Sequence, residues 1–133
     1  MSPTSIVTEF INAWNQNDIG KAMGMLSEDV FYHNIPMEPI RGRAGVQAFV
    51  NNSKLKLGTR TRPHWQLLAI AENGDTVLTE RIDAFHAMDG HRKSFDVPLM
   101  GVFRVADGKI TEWKDYFDLE TFRRGVAEYC GED

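Results

Sequence analysis

Apolar residues recur at Val7, Phe10, Ile11 and Trp14, the i, i+3, i+4, i+7 spacing of one helix face. Ser2 or Thr4 offers a cap for that helix, and Pro3 suits its first turn. Asp18 offers a cap for a short second helix running to Leu26. The stretch DVFYHNIP then reads as a strand that Pro36 stops. PIRGRAGVQAFVNNSKLKL opens as a turn and continues as a helix with Val46, Phe49, Val50 and Ser53 on one face.

Beyond this point the helical period disappears. HWQLLAIA, TVLTERIDAFHAM, KSFDVPLMGVFRV and KITEWKDYF are rich in β-branched and aromatic residues. Asn73-Gly74, Asp89-Gly90 and Asp107-Gly108 separate them, each a strong hairpin signal, so a four-stranded antiparallel meander is expected. Pro98 falls inside the third long strand and predicts a bulge or an unpaired position there. A last helix after Asp118 is expected to carry Leu119, Phe122, Val126 and Cys130 on one side. Helices packed on one face of a curled antiparallel sheet make an α+β fold, a cone around a mostly apolar cavity.

The 133 residues fit one domain, taken as 1–133, with a real core. Hydrophobic residues are 42% and charged residues 26%, the globular range, and no apolar run reaches the ~20 residues of a membrane span. A net charge of -4 with no basic cluster argues against a nucleic-acid partner. The start MSPTSIVTEFINAW lacks the form of a signal peptide, and the single Cys130 rules out an internal disulfide, so a reducing cytoplasm is the expected compartment. His33, His64, His86 and His91 show no ligand spacing, and no metal or other cofactor is expected. Met23, Met25, Met37 and Met100 read as core or pocket lining, and Arg123-Arg124 as a solvated helix face.

The alternation along the strands isolates a few polar positions. Val77, Thr79, Arg81, Asp83 and Phe85 share one side of their strand, and Leu78, Glu80, Ile82, Ala84 and His86 the other. Neither side is uniformly polar, as a strand covered on both faces would read. Trp113, Asp115 and Phe117 share a side, as do Tyr32 and Asn34. An isolated buried carboxylate is costly, whereas two carboxylates sharing one arginine and one proton carry no net charge. A planar guanidinium can bridge two such groups. The alternative is a surface ion pair with an independent strand-end aspartate.

These residues resemble the limonene-1,2-epoxide hydrolases, a family within the nuclear transport factor 2-like (cystatin-like cone) superfamily. The resemblance covers nearly the whole chain in element order. It rests on Tyr32-His33-Asn34, on Arg81-Ile82-Asp83, on Asp115 in EWKDYFD, and on NIPMEPIRGR after the first strand. It implies direct attack of water on an epoxide with no covalent intermediate. Asp115 would be the base, Tyr32 and Asn34 would fix the water, Asp83 would be the acid, and Arg81 would hold both carboxyls. Trp65, Phe85, Val97, Leu99, Phe117 and Phe122 share face or parity with these five and are the expected substrate walls. Such walls suit a small apolar epoxide, cyclic or terpene-like.

Two other classes use the same fold: a polyketide cyclase or ketosteroid isomerase-like enzyme, and a non-catalytic small-molecule-binding module. Neither requires an arginine clamped between two acids, so the discriminating feature is whether Asp83 and Asp115 both reach Arg81. On a provisional register, Leu78, Ile82, Ala84, Phe95 and Met100 face outward from the sheet. So apolar a free face predicts a homodimer, sheet against sheet, and the resemblance implies the same.

Overall fold

The computed structural model describes residues 1–131; the last two positions of the expected 1–133 domain lie outside the described residues. In chain order the elements are α1 (Pro3–Asn15), α2 (Ile19–Gly24), β1 (Leu26–Ile35), β2 (Ile40–Arg41), α3 (Arg43–Asn51), β3 (Thr61–Asn73), β4 (Thr76–Ala87), β5 (Phe95–Ala106), β6 (Lys109–Phe117) and α4 (Leu119–Cys130). Among the described residues no helix is long and apolar enough to cross a membrane.

Local chemistry sets the helix ends. Ser2 caps α1 by accepting from the Ser5 N–H, with Pro3 in the first turn. Asp18 caps α2 and Asp118 caps α4 in the same way. α2 is shorter than expected: it ends at Gly24, and Leu26 already begins β1. Ser53 lies past the end of α3 rather than on its face.

The six strands form one sheet in the order β2-β1-β6-β5-β4-β3. The β3–β6 meander is antiparallel, but β1 runs parallel to β6, so the sheet is mixed rather than wholly antiparallel. Asp107 and Gly108 both take positive φ and form a two-residue hairpin loop between Ala106 and Lys109. At the first hairpin the loop is Gly74-Asp75, one residue later than expected, because Asn73 still pairs with Thr76. The Asp89-Gly90 signal does not make a tight hairpin. Residues 88–94 form a longer loop in which the Asp89 carboxylate accepts from the backbone N–H groups of His91 and Arg92.

Of the two expectations at Pro98, a bulge or an unpaired position, the second holds: there is no bulge, and Pro98 has no partner on β6. Pro98 stands opposite Ile82 with no register shift, while the β5–β6 ladder ends one residue away at Leu99 opposite Phe117. The register shifts lie elsewhere: between Leu67 and Ala69, between Arg104 and Val105, and in β1 between Leu26 and Phe31. With this register Phe95 faces Phe85 and shares the concave side with Val97 and Leu99, which corrects its expected outward orientation. Ala84 is buried, whereas Leu78 and Met100 are exposed on the convex side.

The concave side divides along the strands. Toward the tight hairpins, Phe10 and Trp14 of α1 pack on Trp65, Phe103 and Trp113, with Val77, Val105 and Ile110 also buried there. Burying each such side chain stabilises the fold by about 1.5–3 kcal/mol over leaving it exposed. Toward the other end the same strands carry Phe85, Val97, Leu99 and Phe117, and α4 brings Phe122 against Phe85 and Phe117, around a cavity rather than a filled core. Of the expected side Leu119, Phe122, Val126 and Cys130, Phe122 faces the cavity, while the fully buried positions of α4 are Gly125 and Tyr129. The Tyr129 hydroxyl lies 3.3 Å from the Leu55 and Arg60 carbonyls, and tethers the end of the helix to the loop before β3.

Candidate active site

Alternation puts Thr79, Arg81, Asp83 and Phe85 of β4 on the concave side, just where core gives way to cavity. The β4–β5 register sets Thr79 opposite Gly101, and the β5–β6 register sets Gly101 opposite Asp115. Arg81 and Asp115 thus come together across a glycine, with no side chain between them. The parallel β1–β6 register places Asn34 beside Asp115 and Tyr32 beside Trp113. All five polar residues singled out in the sequence therefore meet in one place.

Arg81 is the centre of the cluster. Its Nε donates to Asp83 Oδ1 at 3.1 Å, and its Nη2 donates to Asp83 Oδ2 at 3.0 Å and to Asp115 Oδ1 at 3.1 Å. Nη1 donates to Thr79 Oγ1 at 3.1 Å, and that hydroxyl donates to the Gly101 carbonyl. The guanidinium also lies over the Trp65 ring, 4.6 Å from its centroid. Arg81 is 0% exposed, Asp83 4% and Asp115 3%, so this is not a surface ion pair. Both carboxyls reach the arginine, the feature that the competing functional classes do not require.

Burial dominates the titration of both acids. It raises the Asp83 pKa to about 6, against the lowering effect of Arg81 and with a further push from Asp115. Burial also raises Asp115, opposed by Arg81 and by a hydrogen bond from Trp113. Arg81 is held still more firmly protonated: burial alone would lower its pKa, but the two carboxylates outweigh it. One proton shared by the two carboxyls makes the buried triad neutral, and the two acids titrate as a pair. Tyr32 is raised by burial and by Asp115, so its hydroxyl stays protonated; Asn34 Nδ2 donates to that oxygen at 2.7 Å.

Tyr32, Asn34, Asp83 and Asp115 reach the wall of a cavity of about 90 Å³, and Arg81 sits behind the acids. The six expected wall residues, Trp65, Phe85, Val97, Leu99, Phe117 and Phe122, all line it. Phe49, Leu55, Leu57, Pro63 and Trp113 line it too, and the sequence reading did not single them out for the pocket. The signal for Trp113 was available, since it shares a strand side with Asp115. Leu55 and Leu57 sit in a loop without period, where nothing local announces a pocket.

The sequence matches the family described as limonene-1,2-epoxide hydrolase catalytic domain over residues 1–127. It is 33% identical to epoxide hydrolase EphG of Mycobacterium tuberculosis over 120 residues, 90% of this chain and 76% of that protein. A solved structure of an LEH-like epoxide hydrolase from M. tuberculosis superposes with a TM-score of 0.78 at 29% identity, covering 97% of this chain and 92% of that one. A putative polyketide cyclase from Xanthomonas campestris gives a TM-score of 0.76 at 22% identity, over 93% of this chain and 96% of that one, a likeness of fold alone. Sequence and fold together make this chain a member of the limonene-1,2-epoxide hydrolase family, and an epoxide hydrolase.

Proposed function

We propose that the protein adds water to a small, compact, apolar epoxide, cyclic or terpene-like, in one acid/base step with no covalent intermediate and no cofactor. The observation that carries this reading is the bridging of Asp83 and Asp115 by Arg81 at the polar end of an otherwise apolar cavity. Water is a weak nucleophile and an alkoxide a poor leaving group, so the reaction needs a base and an acid at once. Asp115, ionised, takes a proton from a water held by Tyr32 and Asn34. The water oxygen bonds to one ring carbon as that carbon's bond to the epoxide oxygen breaks. Asp83, protonated, gives its proton to that oxygen, and the product is a vicinal diol. The pair's proton has then passed from Asp83 to Asp115 and must return before the next turnover.

The substrate class follows from the walls. Aromatic and aliphatic side chains surround the acids, and among the described residues no charged group besides the acids lines the cavity. Assaying a panel of small cyclic, terpene-like, long-chain and charged epoxides for diol tests this. Diol from the compact apolar members is expected. No diol from any, or a preference for charged or long-chain members, would overturn the reading.

The same reading includes a homodimer. Leu68, Leu78, Met100 and Tyr116 are each more than 40% exposed on the convex side of the sheet. An apolar patch of this kind suits a two-fold partner, with one active site inside each cone. Sedimentation should give twice the 15.1 kDa chain mass at micromolar concentration, and a monomer would contradict it.

A further inference from the structure

Arg81 treats the two acids unequally. It gives two N–H bonds to Asp83 and one to Asp115. Hydrogen bonds to a carboxylate favour its charged form. With Arg81 alone, Asp83 would ionise more readily and the shared proton would settle on Asp115, the reverse of what the proposed reaction needs. One further donor redresses this: Trp113 Nε1 donates to Asp115 Oδ2 at 3.2 Å.

Trp113 is held so that its N–H has little choice of direction. It lies two residues before Asp115 on the same side of β6 and is 2% exposed. Tyr32 stacks on it at 4.0 Å between ring centroids, Phe10 meets it edge-on at 5.0 Å, and Phe103 lies parallel to it. The ionisable groups facing Asp115 are Arg81 and Asp83 from β4 and Tyr32 from β1; β5 presents Gly101, and α1 presents Phe10 and Trp14 to this region. Apart from Arg81, the indole is the donor to the Asp115 carboxylate among the described residues.

We propose that Trp113 is a positioning residue for epoxide opening: its indole N–H orients Asp115 and keeps it ionised, so that the shared proton rests on Asp83. This rests on the acid and base roles proposed above. It assigns to the aromatic residue a function beyond packing, and it couples the base to the water site, because the ring that holds Asp115 also seats Tyr32.

The test replaces Trp113 with benzothienylalanine, which has sulfur in place of the N–H and nearly the same shape, with Trp113→Phe as a second variant. A charged-partner hydrogen bond is worth enough that kcat should fall about tenfold to a hundredfold in both variants, with KM and Tm near those of the wild type in the benzothienylalanine variant, which keeps the ring's packing. The acid limb of the pH–rate profile should move to higher pH. In the unmodified enzyme, the Trp113 indole proton should shift in the NMR spectrum as the acid pair titrates, and Asp115→Asn should abolish that titration. An active enzyme whose acid limb and kcat ignore the sulfur substitution would overturn this role alone, as would an indole proton indifferent to the pair. A wild type that opens no epoxide would overturn the acid and base assignments, and this role with them.

Discussion

Gly101 is the position at which the geometry can be perturbed without removing any functional group. It stands opposite Thr79 on one side and Asp115 on the other, with Arg81 lying over it. A methyl group there would come within 2.8 Å of Asp115 Oδ1 and 2.9 Å of Thr79 Oγ1, and closer still to Arg81 Nη1. Ordinary contact begins near 3.4 Å, so the guanidinium and the Asp115 carboxylate must move apart by a total on the order of 1 Å. The bridging bonds, now 3.0 to 3.1 Å, have no slack to absorb that. A misplacement of about 1 Å can cost about a hundredfold in rate, and overpacking a buried site costs about 1–3 kcal/mol of stability. Gly101→Ala should therefore fold, melt somewhat lower, and lose about a hundredfold in kcat for diol formation. Steady-state kinetics beside a melting curve separates the two effects. A stable variant within about threefold of wild-type kcat would refute the claim that Arg81 must bridge both acids.

Other outcomes follow from the same wiring. Asp83→Asn and Asp115→Asn should each fold and lose on the order of 10²–10⁴ in kcat, since each removes one partner of the proton exchange; diol assays on the purified variants check this, and substantial activity in either would count against the mechanism. Arg81→Lys should be nearly as damaging, because an ammonium has no planar fork. Tyr32→Phe and Asn34→Ala should lower kcat more than they raise KM, as groups that orient water rather than bind the epoxide, and the reverse split in the kinetics would give them another task. Stability should also carry the signature of the raised Asp83 pKa. The unfolded chain releases this proton near pH 4 and the native state near 6, so over that window the native state binds more protons and stability falls as pH rises. Denaturant melts across this window measure the effect, and Asp83→Asn should reduce it; stability that rose across this window in the wild type but not in the variant would contradict the assignment.

Much of this site was legible because strand alternation is a rigid rule. Arg81 and Asp83 had to share a side, and Trp113, Asp115 and Phe117 likewise, whichever strands became neighbours. What alternation does not encode is pairing across the sheet. The parallel contact of β1 with β6 joins segments far apart in sequence, and it is this contact that sets Asn34 beside Asp115. The expected side of Phe95 fails for a related reason: of a bulge and an unpaired position at Pro98 only the bulge would turn Phe95 outward, and a proline just past the β6 ladder is accommodated unpaired. Asp89-Gly90 resembled a tight hairpin, but the Asp89 side chain satisfies backbone N–H groups of a longer loop instead. The sequence carries no signal for Tyr129, because its partners, Leu55, Arg60 and Thr61, lie on an irregular segment and a strand start remote from it in sequence.

The central claim is direct attack by water activated at Asp115. A single turnover in heavy-oxygen water, with enzyme in excess over a small cyclic epoxide, addresses it most directly. Mass spectrometry of the diol and of the peptide containing Asp115 then reports where the label went. The account predicts one heavy oxygen in the diol and none in the peptide. Unlabelled diol with heavy oxygen in the Asp115 carboxyl would mean that the carboxylate itself attacked the ring, and would contradict the account.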